Sequence, residues 1–183
     1  MRNHKAGLVG LLASAALVLA ACGGDDDDDA TTEGAAGEGG EGADIALISK
    51  GFQHQFWQAV QQGAEEAADE FGVSITFEGP DDESQVAQQI DQLQAAMDRN
   101  PDALGFAALD SQAAAPFMEE AAERDIPVIA FDSGVDSDVP LTTAATDNMA
   151  ASAHAAERLV ELIGGEGKVA AIVHDQTSVT GIE

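Results

Sequence analysis

Four stretches of this sequence put side chains capable of chemistry directly after apolar, partly β-branched runs. Ile48 to Val60, ISKGFQHQFWQAV, carries Gln53, His54 and the ring pair Phe56 and Trp57, and Trp57 is the only tryptophan of the 183 residues. Asp81 and Asp82 follow VSITFEG (73–79), Asp110 and Ser111 follow ALGFAAL (103–109), and Asp132 and Ser133 close IPVIAFD (126–132). Aromatic faces beside carboxylates and an imidazole suit a sugar: its C–H faces stack on rings while its hydroxyls donate to carboxylate oxygens. Each residue also has a plainer use. Phe56 falls on an apolar helical stripe with Val60, Ala64, Ala67 and Phe71, whereas Trp57 lies about 100° from it, so Trp57 is expected to face ligand and Phe56 to serve core and site alike. Asp132 can end a strand, His54 can be a solvated loop residue, and Asp110 can cap a helix.

Other spacings carry no chemistry. GEGGEG (37–42) matches a dinucleotide fingerprint in letters only, because that motif needs a strand before it and a helix after it. GGEGK (164–168) fails as a phosphate loop, having Leu162 where the first glycine belongs and Val169 where Ser or Thr would bind magnesium. His154 and Glu157 alone make no metal site, and DSGVDSD (132–138) lacks the glycine and terminal glutamate of a calcium loop. With no nucleophile elbow and no HExxH, an enzyme is the weakest class, and no cofactor or metal is expected.

The elements that must position these residues recur at about thirty residues per unit. Helical repeats separate the apolar runs; the second, Val86, Ile90, Leu93 and Met97, is preceded by Asp82 and Gln85, which read as a capping box, and is stopped by Asn100-Pro101. Ser111 or Asp110 can cap a third helix. Strands alternating with helices predict an α/β fold with a doubly wound parallel sheet and right-handed crossovers. Ligands bind such sheets outside the carboxyl ends of the strands, so residues far apart in sequence are expected on one rim.

The N-terminal residues predict export. Arg2 and Lys5 precede an apolar run from Ala6 to Ala21, too short to span a bilayer comfortably and suited to a secretory signal. The run ends in LAAC, which resembles the bacterial lipoprotein signal and implies a signal peptide over 1–21 and lipidation of Cys22. Residues 22–43, acidic and glycine-rich, read as a tether with an r.m.s. span of roughly 25 Å. The chain has 7 basic and 34 acidic residues; without Arg2 and Lys5 the balance is 5 against 34, a net charge of −29. Such a surface repels nucleic acid and anionic membranes, and it fits a saline habitat as well as plain solvation. A lone cysteine leaves no internal disulfide.

SKGFQHQFWQAVQQGAEEAADEFGV, IPVIAFDSG and TDN (Thr146 to Asn148) together resemble the ribose and related monosaccharide-binding proteins of ABC transporters, which share the lactose-repressor ligand-binding fold. The resemblance spans Asp44 to Glu183. It implies two α/β lobes around a hinge, with lobe 1 at 44–146, the hinge at Thr146, Asp147 and Asn148, and the start of lobe 2 at 147–183. PLTTAAT (140–146) would lead to the hinge, DNMAASAHAAERLVELIGG would be the first helix of lobe 2, and KVAAIVHDQTS (168–178) its next strand. A complete second lobe needs roughly a hundred further residues, so the resemblance implies a longer, monomeric protein. By position it assigns ligand contacts to His54, Phe56, Trp57 and Asp132, and to Ser133, where ribose-type members have arginine. Ribose itself is therefore not the expected ligand. Asp110 and Gln176 are further candidates, with Asp175 and Thr177 beside Gln176.

The expected function is that of a receptor at the outer face of the cell membrane or in the periplasm. It would capture a neutral monosaccharide or polyol and pass it to an ABC permease and its ATPase. The alternative is a sensory receptor for a sugar or signalling furanose acting through a membrane partner. A DNA-bound regulator would need a basic reading head before Asp44, where an apolar signal and an acidic tether stand instead.

Overall fold

A computed structural model describes residues 42–182. The signal peptide, Cys22 and nearly all of the tether lie outside the described residues. The elements run β1 (Asp44–Ile48), α1 (Gln55–Phe71), β2 (Ser74–Glu78), α2 (Val86–Asp98), β3 (Ala103–Phe106), α3 (Ser111–Glu123), β4 (Val128–Phe131), β5 (Thr143–Ala144), α4 (Asn148–Leu162) and α5 (Val179–Ile182).

All five strands are parallel, in the order β2-β1-β3-β4-β5. The order reverses between β1 and β3, where a doubly wound sheet leaves a crevice above its carboxyl edge. Alternation along each strand divides the two faces. Ala46, Ile48, Leu104, Phe106, Val128 and Ala130 point to one face and pack with Leu93, Met97, Ala114 and Met118 of α2 and α3 into the main core. The other face, with Ile45, Leu47, Ile75 and Ile129, is flanked by the alanines and Phe71 of α1 and keeps an open apolar hollow of about 390 Å³. Position 105 falls on this face opposite Leu47, and it is a glycine because a Cβ there would come within 2.4 Å of Leu47 Cδ2.

Local signals explain the helix ends. Gly72 closes α1 in the left-handed region (φ 67°), and Asn100 (φ 55°) turns the chain after α2. Asp110 caps α3, its Oδ1 accepting from the amides of Gln112 (3.0 Å) and Ala113 (2.9 Å). Pro116 is accommodated inside that helix. Asp147 caps α4 by accepting from Ala150 N at 2.9 Å.

Three expectations need correction. Asp82 does not cap α2; it accepts from the amide and hydroxyl of Ser84, forming a turn ahead of the helix, and Gln85 at the cap position makes no side-chain capping bond. The third strand stops at Phe106 and not Leu109, because Ala108 N turns to Ser133 O (3.3 Å) and Leu109 N to a side chain of α2. Residues 168–178 form no strand: Val169, Ile172 and Val173 are exposed, and no described strand offers its backbone groups a ladder. The helix expected before it does form as α4, but buries none of its residues.

Candidate ligand cleft at the carboxyl edge

Above the carboxyl ends of the strands lie two depressions, about 310 and 270 Å³, which share His54, Trp57, Glu83 and His174 as lining residues. The first adds Gly51, Gln53, Asp81 and Asp82; the second adds Lys50, Phe56, Asp132 and Thr180. A hollow of about 410 Å³ elsewhere is lined by Phe52, Phe77 and the flank of α2. It contains none of His54, Phe56, Trp57 and Asp132, so the cleft is the better candidate.

The loop from β1 into α1 supplies most of the cleft. His54 is the N-cap of α1, and its Nδ1 accepts the amide of Phe56 at 3.1 Å, which leaves Nε2 for other partners. Phe56 and Trp57 meet edge to face, ring centres 4.8 Å apart. Their burial reverses the expectation from the apolar stripe: Phe56 is 45% exposed and Trp57 only 1%. The inner face of α1 runs through Trp57 and Ala68, and Trp57 is fixed there by Phe131 of β4 (ring centres 6.3 Å apart) and by donating Nε1–H to Glu83 Oε1 at 2.8 Å. The indole therefore forms the floor of the cleft, with the ring of Phe56 standing free at its side.

At the end of β4 the chain makes a three-residue turn, with Ser133 N reaching back to Phe131 O at 2.6 Å and Asp132 at φ 57°. Left-handed backbone is unusual for a side-chain-bearing residue, and aspartate is among the few that tolerate it. Such strain gathers at functional sites. The turn aims the carboxylate at Lys50, whose Nζ lies 2.9 Å from Asp132 Oδ2 and 5.9 Å from the Trp57 ring centre. The Lys50 side chain is 4% exposed and that of Asp132 21%. The pair is held by charge, since Oδ2 accepts no well-directed hydrogen bond.

The segment 174–182 covers this edge. His174 Nε2 lies 2.7 Å from Glu83 Oε2 and 3.4 Å from Asp175 Oδ2. Thr177 Oγ1 donates to Leu109 O (3.0 Å), and Thr180 Oγ1 to Asp132 O (3.4 Å). Burial pushes the Asp175 carboxyl up, but the amides of Ser178 and Thr177, the Ser178 hydroxyl and the neighbouring His174 together hold it below its ordinary value.

The structure thus brings His54, Phe56, Trp57 and Asp132 to one cleft. Ser133 lies beneath the rim, wholly buried, with its Oγ unbonded. Asp110 is engaged in capping, Gln176 is exposed, and Thr146, Asp147 and Asn148 link β5 to α4; none of these lines either depression. Sequence reasoning assigned no role to Lys50 and Glu83. Lys50 could have been found by the rule that selected its neighbours, since it follows β1 as Asp132 follows β4. Among the described residues no group of three or more His, Cys, Asp or Glu is arranged to hold a metal ion, and no helix is long and apolar enough to cross a membrane.

Residues 45–182 match the family model described as periplasmic binding protein domain. The D-allose-binding periplasmic protein of Escherichia coli strain K12 is 25% identical over 138 residues, 72% of this chain and 44% of that protein. A carbohydrate transporter solute-binding protein of Agrobacterium radiobacter, solved with D-arabinose, is 29% identical with a TM-score of 0.74 over 77% of this chain and 49% of its own. An ABC transporter solute-binding protein of Agrobacterium vitis, solved with D-fucose, is 36% identical with a TM-score of 0.73 over 76% and 49%. This chain spans about half the length of the relatives it matches. All three are described as binding proteins and not as enzymes.

Proposed function

The chain belongs to the periplasmic binding protein domain family, and from that premise we propose that it carries the first lobe, and the start of the second, of an extracytoplasmic receptor for a small neutral sugar or polyol that serves an ABC importer. One observation carries this reading: at the carboxyl edge Lys50 and Asp132 stand 2.9 Å apart beside the ring of Phe56 and the indole of Trp57. An ammonium next to a carboxylate offers donors and acceptors at hydroxyl spacing while remaining neutral as a pair, which suits a polyhydroxy ligand and selects against a free anion. The exposed Phe56 ring supplies the apolar face that a sugar needs. The sugars named for the relatives support the same ligand class.

In this reading His54, Phe56, Trp57 and Asp132 are ligand-binding, with Lys50 added to them. Residues 44–146 are lobe 1, Thr146 to Asn148 the hinge and 147–183 the opening of lobe 2. The signal over 1–21 directs export and is removed, and lipidation of Cys22 with the tether over 22–43 holds the receptor at the outer face of the membrane.

Thermal unfolding of the mature full-length protein against a panel of sugars, polyols, amino acids and anions tests the ligand. A sugar at a hundredfold over its Kd adds about 2.7 kcal/mol of stability. A panel in which only amino acids, phosphates or carboxylates raise the Tm overturns the reading. Delivery is tested apart from binding: sugar-loaded receptor is expected to stimulate ATP hydrolysis by a cognate ABC permease and its ATPase. Binding without stimulation transfers the role to a sensory partner.

A further inference from the structure

Gln89, on α2, is a neutral side chain only 1% exposed, and it spends every polar atom on backbone at the carboxyl ends of two strands. Its Nε2 donates to Ser49 O at 2.8 Å and to Ala107 O at 2.9 Å, while its Oε1 accepts from Leu109 N at 3.0 Å. Ser49 follows β1, and Ala107 and Leu109 follow β3, so the amide spans the point at which the strand order reverses. There the ladder between β1 and β3 ends, and backbone groups inside the protein would otherwise lack partners.

We infer that Gln89 is a positioning residue of the cleft, a buried clamp that sets the distance between Lys50 and Asp132. The connection is continuous. From Gln89 it passes through Ser49 to Lys50, across the ion pair to Asp132, on to Ser133, whose carbonyl accepts from Ala108 N at 3.3 Å, and through Ala107 back to Gln89. Glutamine suits the task because one amide offers two donors and an acceptor without charge. Methionine has a similar length and none of those groups; glutamate turns an oxygen toward two carbonyls. The inference rests on the cleft being the sugar site.

The experiment uses Gln89→Met and Gln89→Glu in the mature full-length protein, with Met97→Ala, a core change on the same helix, as a control for lost stability. Two quantities are read: the Kd for the sugar that gives the largest thermal shift, and hydrogen exchange at the amides of Ser49 and Ala108, which donate to Glu78 O and Ser133 O and not to Gln89. Both Gln89 variants are expected to weaken binding by about tenfold or more and to speed exchange at the two loops. Met97→Ala is expected to lower the Tm with Kd changed less than about twofold, because a thioether in the core makes none of the backbone hydrogen bonds that Gln89 makes at the strand ends. Equal loss of affinity in Met97→Ala at matched Tm, or an unaltered Kd in Gln89→Met, overturns the inference. If the unsubstituted protein binds no sugar, it is the ligand reading that fails, and exchange at Ser49 and Ala108 still decides the clamp: unchanged protection in Gln89→Met rejects it.

Discussion

Lys50 Nζ stands 2.9 Å from Asp132 Oδ2, although β3 lies between the strands that these two residues follow. The pair ties β1 to β4 over the top of β3. Lys50→Met keeps much of the aliphatic stem and leaves the carboxylate without its cation. A loss of about 1–3 kcal/mol in urea unfolding is expected, less than for a fully buried pair because Asp132 keeps contact with water. Adding Asp132→Asn should recover part of that loss. Strict additivity of the two changes would mean that the pair contributes no coupling.

Trp57→Ala empties the floor of the cleft and is expected to cost about 3–5 kcal/mol, as for large core rings. Trp57→Phe keeps most of the packing and loses only the indole donor to Glu83, about 1 kcal/mol. Phe56→Ala, by contrast, should leave the midpoint of unfolding nearly unchanged and weaken sugar binding. Chemical denaturation and calorimetry on the three variants separate floor from side wall. A large stability loss in Phe56→Ala would reverse the assignment.

Gly79 approaches the same loop from β2. A Cβ at this position would lie 2.2 Å from Ser49 Oγ and 3.3 Å from Ser49 O. The single hydroxyl proton of Ser49 has two carbonyl acceptors in reach, Gly51 O (3.0 Å) and Glu78 O (3.2 Å), and the side chain is wholly buried, so it has little room to yield. Gly79→Ala is expected to destabilise by about 1–3 kcal/mol and to displace Lys50. Calorimetry should show weaker binding even where the variant is fully folded.

Asp175 gives the segment over the cleft an acid limit. Its carboxyl is held below the ordinary value of 3.8 despite burial. A depressed carboxyl contributes stability that is present above its unfolded pKa and is lost as pH falls through the folded one. Protection of the Thr177 and Ser178 amides against exchange is therefore expected to hold at pH 5 and above and to fade only on the acid side of about 3.8. Asp175→Asn should remove that dependence. Loss of protection already near pH 6 would point to another group.

Asp110→Ala removes the acceptor for two amides at the start of α3 and is expected to cost about 1 kcal/mol in thermal unfolding. Sugar affinity should be unchanged, since the capping carboxylate does not line the cleft. A tenfold loss of affinity would return Asp110 to the ligand set.

The sequence by itself determined the parallel α/β order, the approximate bounds of the four main strands and the rule that polar residues after them share one edge. Those features are written in short-range patterns: apolar runs of strand length, helical periodicity, and glycine, proline and aspartate as punctuation. Tertiary structure alone decided which way α1 is rotated. Phe56 and Trp57 are adjacent, and only contacts with Phe131 and Glu83, distant in sequence, turn the larger ring inward. It likewise joined Lys50 to Asp132 and Gln89 to two strand ends, and it left 168–178 without a ladder. Each of these depends on the distance between groups that the sheet brings together from remote positions, and such distances have no local signature in the chain.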